Sequence, residues 1–134
     1  MNRSAIRELA FRLIYSREIQ KEENIEEQIE LFLEANEINE KNAIEYINDV
    51  VKGIESNKEE ILSLIEKNLK SDWKLERISK VDLSLLKLAI YEIKCKNLAF
   101  KIVINEVVEL AKKYGEDQSK NFVNGILASV IKEG

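Results

Sequence analysis

Apolar residues recur at intervals of three and four along most of this chain, and alternation of period two is nowhere sustained. That is the period of helices with one buried face, so the expected fold class is all-α. Seven helices are read. The first, from about Ser4 to Ser16, buries Ile6, Leu9, Ala10, Leu13 and Ile14. Asn24 caps a second carrying Ile25, Ile29, Leu31, Phe32 and Leu33, and Asn39 a third carrying Ala43, Ile44, Ile47, Val50, Val51 and Ile54. Asn57 with Glu60 reads as a capping box for a fourth with Ile61, Leu62, Leu64, Ile65 and Leu69. The fifth, from a Ser79 and Asp82 cap pair to about Lys94, is apolar on nearly every side and is expected at the centre.

A sixth helix, about Lys101 to Tyr114, is expected to bury Ile104, Val107, Val108 and Ala111 and to stop at a left-handed Gly115. The seventh starts at Ser119 and buries Phe122, Val123, Ile126, Leu127 and Val130. Gly125 inside it costs about 1 kcal/mol relative to alanine, and a close helix crossing would explain it. The chain reads as a single domain with an N-terminal three-helix subdomain, 1–56, and a C-terminal four-helix subdomain, 57–134; the only linker candidate is the short stretch around Asp72, which divides three or four N-terminal helices from three C-terminal ones.

Composition narrows the chemistry. The 134 residues include no histidine, no proline and one cysteine, Cys95. The usual metal ligand, the commonest general base and every histidine-containing nucleophilic triad are therefore excluded, and no intramolecular disulfide forms. An enzyme is not expected, nor is a metal or other cofactor. The longest uncharged stretch, Asn121 to Ile131, is too short to span a bilayer, and no signal peptide is read, so no membrane association and a cytoplasmic location are expected. The acidic group Glu22, Glu23, Glu26 and Glu27 reads as a solvated helix face.

The net charge of -4 conceals segments of opposite sign: +3 over residues 1–17, -10 over 18–69 and +3 over 70–134. Arg3 and Arg7 stand one turn apart at a helix start, where like charges repel by roughly 0.2–0.5 kcal/mol and the helix dipole also disfavours cations. Neither has an acid three or four residues away, whereas Arg12 has Glu8. An external polyanion would relieve both penalties, so an RNA or DNA backbone is one reading, and a solvated arginine face paired to acids distant in sequence is the other. Trp73, the only tryptophan, either packs at the inter-subdomain link or stacks on a base.

Three stretches carry a resemblance: Arg7-Glu8-Leu9-Ala10 with Leu13-Ile14-Tyr15; Trp73 through Arg77-Ile78, Val81-Asp82 and Leu88-Ala89-Ile90-Tyr91-Glu92; and Val103-Ile104-Asn105-Glu106 through Glu109 to Gly115 and on to Phe122-Val123-Asn124-Gly125. Together they resemble the NusB family of bacterial transcription antitermination factors, over essentially the whole chain. The resemblance implies a seven-helix fold, binding to boxA RNA, a heterodimer with ribosomal protein NusE, and a place among other Nus factors in an RNA polymerase complex serving ribosomal RNA operons. A homodimer hiding the arginine face is the alternative to a monomer in the free state.

By the same resemblance the RNA-binding residues are Arg3 and Arg7 on the first helix, with Ser4 where relatives commonly carry another arginine, and Gln118, Lys120 and Phe122 around the start of the seventh. Relatives often carry Asp at the Gln118 position and Lys at the Asn121 position. Tyr15 and Asp82 fall at positions that look NusE-facing. Phe122 has a second reading as core, Tyr15 as the apolar end of its helix, and Asp82 as a capping residue. With Arg3, Arg7 and Lys120 on phosphates, affinity for single-stranded RNA is expected to fall with salt at a log–log slope near about -2. The rivals are a helical protein-interaction module without RNA contact and, last, the RNA-binding part of a ribosomal RNA cytosine methyltransferase, which lacks its methyl-donor domain here.

Overall fold

In a computed structural model, residues 1–20 and 24–133 are described, and they hold seven α-helices and no strand. In chain order these are α1 (Arg3–Ile19), α2 (Ile25–Ala35), α3 (Lys41–Ser56), α4 (Lys58–Lys67), α5 (Lys80–Ile90), α6 (Phe100–Tyr114) and α7 (Ser119–Glu133). A 3-10 turn, Leu75–Arg77, precedes α5, and a π-helical turn, Tyr91–Cys95, extends it. The expected Glu22 and Glu23 of the acidic group lie outside the described residues.

Short-range capping follows the sequence where a side chain reaches its own helix. The Asn24 side chain accepts from the Glu27 N–H at 3.0 Å, and the Ser79 hydroxyl from the Asp82 N–H at 3.1 Å. Asn2 does the same for α1, accepting from the Ala5 N–H at 2.8 Å. Two expected caps are corrected. Glu40 rather than Asn39 flanks α3, without a side-chain bond, and Asn57 donates backwards to the Gly53 carbonyl at 2.8 Å instead of capping α4. Asn57 is the single residue between α3 and α4, so its side chain closes the end of the first helix.

The expected central position of α5 is met: it touches α1, α3, α4, α6 and α7, and Leu85, Leu86, Leu88, Ala89 and Ile90 are buried around its circumference. The stripe on α6 is shifted by one position, with Val103, Val107, Leu110 and Ala111 buried and Ile104 and Val108 at its margin. On α2, Leu31 is exposed and Ile29 makes the core contact.

The glycines carry different duties from those expected. Gly115 has φ -95°, so it is not a left-handed stop; a Cβ there would meet Ser119 Oγ at 2.5 Å and the Ala111 carbonyl at 2.8 Å. Close approach of the α7 start explains it. Gly125 is exposed, with nothing within 4 Å of a Cβ, so no helix crossing accounts for it. The crossing that does need glycine is at Gly53, where a Cβ would fall 2.2 Å from the Tyr91 ring.

Candidate nucleic-acid interface

The first turn of α1 decides which arginine faces outward. Arg7 sits one helical turn beyond Arg3, on the side of α1 that buries Ile6 and Ala10, and is 3% exposed. Its Nε donates to Glu92 Oε1 at 2.7 Å, its Nη2 to Glu92 Oε2 at 3.1 Å, and its Nη1 to Glu106 Oε1 at 3.0 Å. Burial alone would lower the guanidinium pKa, but the bond to Glu92 and the charges of Glu92 and Glu106 outweigh it and hold the pKa above its ordinary value. At Arg7 the expected open guanidinium is therefore corrected, and the alternative of pairing to acids distant in sequence holds. Arg7 is a buried structural cation, neutralised by acids of the C-terminal half rather than left for a polyanion.

Glu92, 1% exposed, is the other side of this cluster. It lies in the π-helical turn, where the helix widens by a residue, and the turn is pinned to α3 by the Tyr91 hydroxyl donating to Asp49 at 2.8 Å and by Lys96 on Asp49 at 3.3 Å. The Tyr46 ring borders the same cluster, and its hydroxyl pKa is raised, by burial first and the Glu92 carboxylate next. Sequence reasoning missed Glu92 as a partner for Arg7. The signal was available: it is the only acid in the apolar run from Leu83 to Ile93, and an acid so placed requires a buried cation.

Arg3 has the opposite fate. It is exposed, no carboxylate among the described residues lies within ion-pair distance, and its guanidinium carbon stands 5.1 Å from the Tyr46 ring centroid. Arg3, Tyr46, Lys96, Leu98 and Ile102 line a cavity of about 340 Å³ beside the α1 start. Leu98, Phe100 and Ile102 are exposed apolar residues that the sequence reading did not single out, although Phe100 and Ile102 lie off the buried stripe of α6.

From there α1 and α6 run side by side in the same sense. Ser4 donates to Glu106 at 2.5 Å, Glu8 accepts from Lys113 Nζ at 2.6 Å and from the Tyr114 hydroxyl at 2.5 Å, and the Phe11 and Tyr114 rings are 5.0 Å apart. Those two bonds, Lys113 first, hold the Glu8 pKa below its ordinary value, with a smaller share from the charge of Arg12. Arg12 itself donates to Asn36 at 3.3 Å, so the local Glu8–Arg12 pair expected from spacing gives way to longer-range partners.

Beyond Tyr114 the chain turns through Gly115 into α7. Gln118 and Lys120 are exposed, with Lys120 donating to the Asp117 carbonyl at 3.4 Å. At 1.5 Å per helical residue, the Arg3 and Gln118 ends of this flank lie on the order of 15–20 Å apart. Phe122 is half-buried, and its ring meets Trp73 at 5.9 Å between centroids. Tyr15, also half-buried, stacks on Phe11 at 6.1 Å. Asp82 is buried between α5 and the α7 start; burial raises its pKa against the Ser119 and Ser79 hydroxyls, and its Oδ1 has no hydrogen-bond partner. The structure thus brings Arg3 and Arg7 to one cluster with contrary roles, and Phe122 to Trp73, while Gln118 and Lys120 stand apart at the other end.

No group of three or more acids and cysteines among the described residues is placed to hold a metal, and no described helix is long and apolar enough to cross a membrane. Cys95 is exposed, with its thiol pushed up by partial burial first and Glu60 next.

The NusB family model matches residues 4–132. The chain belongs to the NusB family. Among relatives, the transcription antitermination protein NusB of Acetivibrio thermocellus is 54% identical over 98% of this chain and 90% of its own, and that of Clostridium novyi is 46% identical over 98% and 99%. Among solved structures, NusB of T. maritima superimposes with a TM-score of 0.89 at 35% identity, covering 99% of this chain and 92% of that one. A structure of antitermination factors NusB and NusE in complex with dsRNA gives the same TM-score at 30% identity, covering 98% and 97%.

Proposed function

We propose that this chain acts in transcription antitermination by binding boxA RNA together with NusE, in the cytoplasm and within an RNA polymerase complex that includes other Nus factors and serves ribosomal RNA operons. The observation that carries the reading is Arg3: a guanidinium on the first turn of a helix, with no carboxylate partner among the described residues, presented where backbone N–H groups also favour an anion. A relative with the same fold has been seen with NusE and RNA.

In this mechanism Arg3 and Lys120 meet phosphates at the two ends of the flank, Gln118 adds a hydrogen bond at the loop, and Phe122 offers an aromatic edge. Arg7 acts through position: its hydrogen bonds to Glu92 and Glu106 fix the first turn of α1 against α5 and α6, and so fix Arg3. NusE would bind where Tyr15 lies, with the buried Asp82 shaping that surface from beneath, at the packing of α5 on the start of α7. Its surface would complete that of the RNA site.

Two phosphate contacts instead of three lower the expected salt slope to about -1.4, from roughly 0.7 per phosphate. The test is titration of labelled boxA RNA against this chain, NusE and the pair, across salt concentrations, with Arg3→Ala and Lys120→Ala. The double variant is expected to bring the slope of the pair towards that of NusE alone. An unchanged slope and affinity would leave a protein-interaction module without RNA contact of its own as the better reading, with the exposed Leu98, Phe100 and Ile102 in its favour.

A further inference from the structure

Trp73 stands on the segment between α4 and the 3-10 turn, and both of its sequence readings contain part of what is found. One side of the ring packs on Phe122, with 5.9 Å between centroids and 44° between planes, and Phe122 is in turn seated on the apolar stripe of α7. Yet 42% of Trp73 remains exposed. Its backbone is held by the Trp73 N–H donating to the Lys70 carbonyl at 2.9 Å, and the chain re-enters the core at Ile78. An indole held by one aromatic neighbour and still substantially exposed offers ring surface for stacking.

We propose that Trp73, backed by Phe122, is a stacking platform for an unpaired RNA base, extending the RNA surface beyond Lys120. The inference rests on the RNA-binding reading above and adds a residue to it. The charges of the two segments that meet here balance in number, with Lys70, Lys74, Arg77 and Lys120 against Asp72, Glu76, Glu116 and Asp117. The platform therefore acts by stacking rather than by charge, which gives it a signature opposite to that of Arg3. Its loss lowers affinity without changing the salt slope.

The chain has one tryptophan, so 5-fluorotryptophan incorporated into this chain alone reports on Trp73 even in the complex with NusE. Single-stranded boxA RNA is expected to shift that fluorine resonance with the same midpoint as the anisotropy of the labelled RNA, and an RNA duplex of the same sequence is not. Trp73→Leu, which keeps an apolar contact on Phe122 but no π-face, is expected to weaken binding about five- to hundredfold at unchanged salt slope and with little change in melting temperature, and Trp73→Phe to recover part of the loss. RNA that binds by anisotropy while the fluorine signal stays still and Trp73→Leu binds like the parent overturns the platform alone. If neither this chain nor its complex with NusE binds the RNA, the RNA reading falls and the platform with it.

Discussion

Arg3 and Arg7 share a helix, a residue type and a spacing that local rules treat as one feature, yet one is a closed site and the other an open one. At Arg7 three donors meet two acids and almost no surface remains; at Arg3 a guanidinium lies against a tyrosine ring, with no carboxylate of the described residues within ion-pair distance. The same contrast separates the α1–α5 junction as a whole from the Trp73–Phe122 edge. In the first, polar groups are consumed by the fold; in the second, apolar ring surface is left over. Function is to be sought among what is left over, and a local penalty in the sequence does not say which case applies.

The contrast is broken most severely at Arg7. Arg7→Ala leaves Glu92 buried without its cation, and removal of one partner of a buried pair costs about 3–5 kcal/mol. Because the pair joins residues 7 and 92, one in each of the subdomains read from the sequence, the loss is expected to lower the single urea-unfolding midpoint of the whole chain rather than to loosen one part. Arg3→Ala, one turn away, is expected to stay within about 0.5 kcal/mol of the parent. Equal destabilisation by the two substitutions would erase the distinction between closed and open.

That distinction was only half legible. The helices were readable because their buried faces repeat every three or four residues, and Asn24 and Ser79 were readable as caps because their partners are three residues away. Which of the two readings holds at Arg7 is not legible from sequence, because its partners lie 85 and 99 residues on, where no spacing rule reaches. Asn57 was misread because an asparagine at a helix junction has both a forward N–H and a backward carbonyl to choose from, and the backward one won. The π-helical turn left no periodic signal in a segment apolar on all sides. Of the candidate site, Arg3, Gln118 and Lys120 stand exposed, whereas the pairing of Trp73 with Phe122 needed the packing of the α4–α5 link on α7.

Glycines sharpen the same comparison at smaller cost. On the closed side, Gly53→Ala drives a methyl group into the Tyr91 ring and is expected to cost about 1–3 kcal/mol, with the Tyr91–Asp49 bond disturbed. On the open side, Gly125→Ala meets nothing and is expected to stabilise by about 1 kcal/mol, read as a rise in melting temperature. A destabilising Gly125→Ala would show that the exposed face of α7 is less open than its geometry.

The smallest expected effect lies where closed and open regions meet, at Glu8. Its carboxylate holds Lys113 and Tyr114 at the rim of α6, and its pKa is lowered from the ordinary 4.5 by those bonds. A carboxyl whose folded pKa lies below its unfolded value binds fewer protons when folded, so its contribution is complete above about pH 4.5 and disappears as the pH falls through the lowered folded pKa. Glu8→Gln should therefore lower the melting temperature slightly at neutral pH and converge with the parent in acid, and added salt should narrow the neutral-pH difference because the Lys113 pair is exposed. Since Tyr114 immediately precedes the turn into α7, the variant also tests whether this rim positions the loop. A change in RNA affinity at constant salt slope would place Glu8 with Arg7 as a positioning residue, whereas a changed slope would mean that the freed Lys113 has become a phosphate contact.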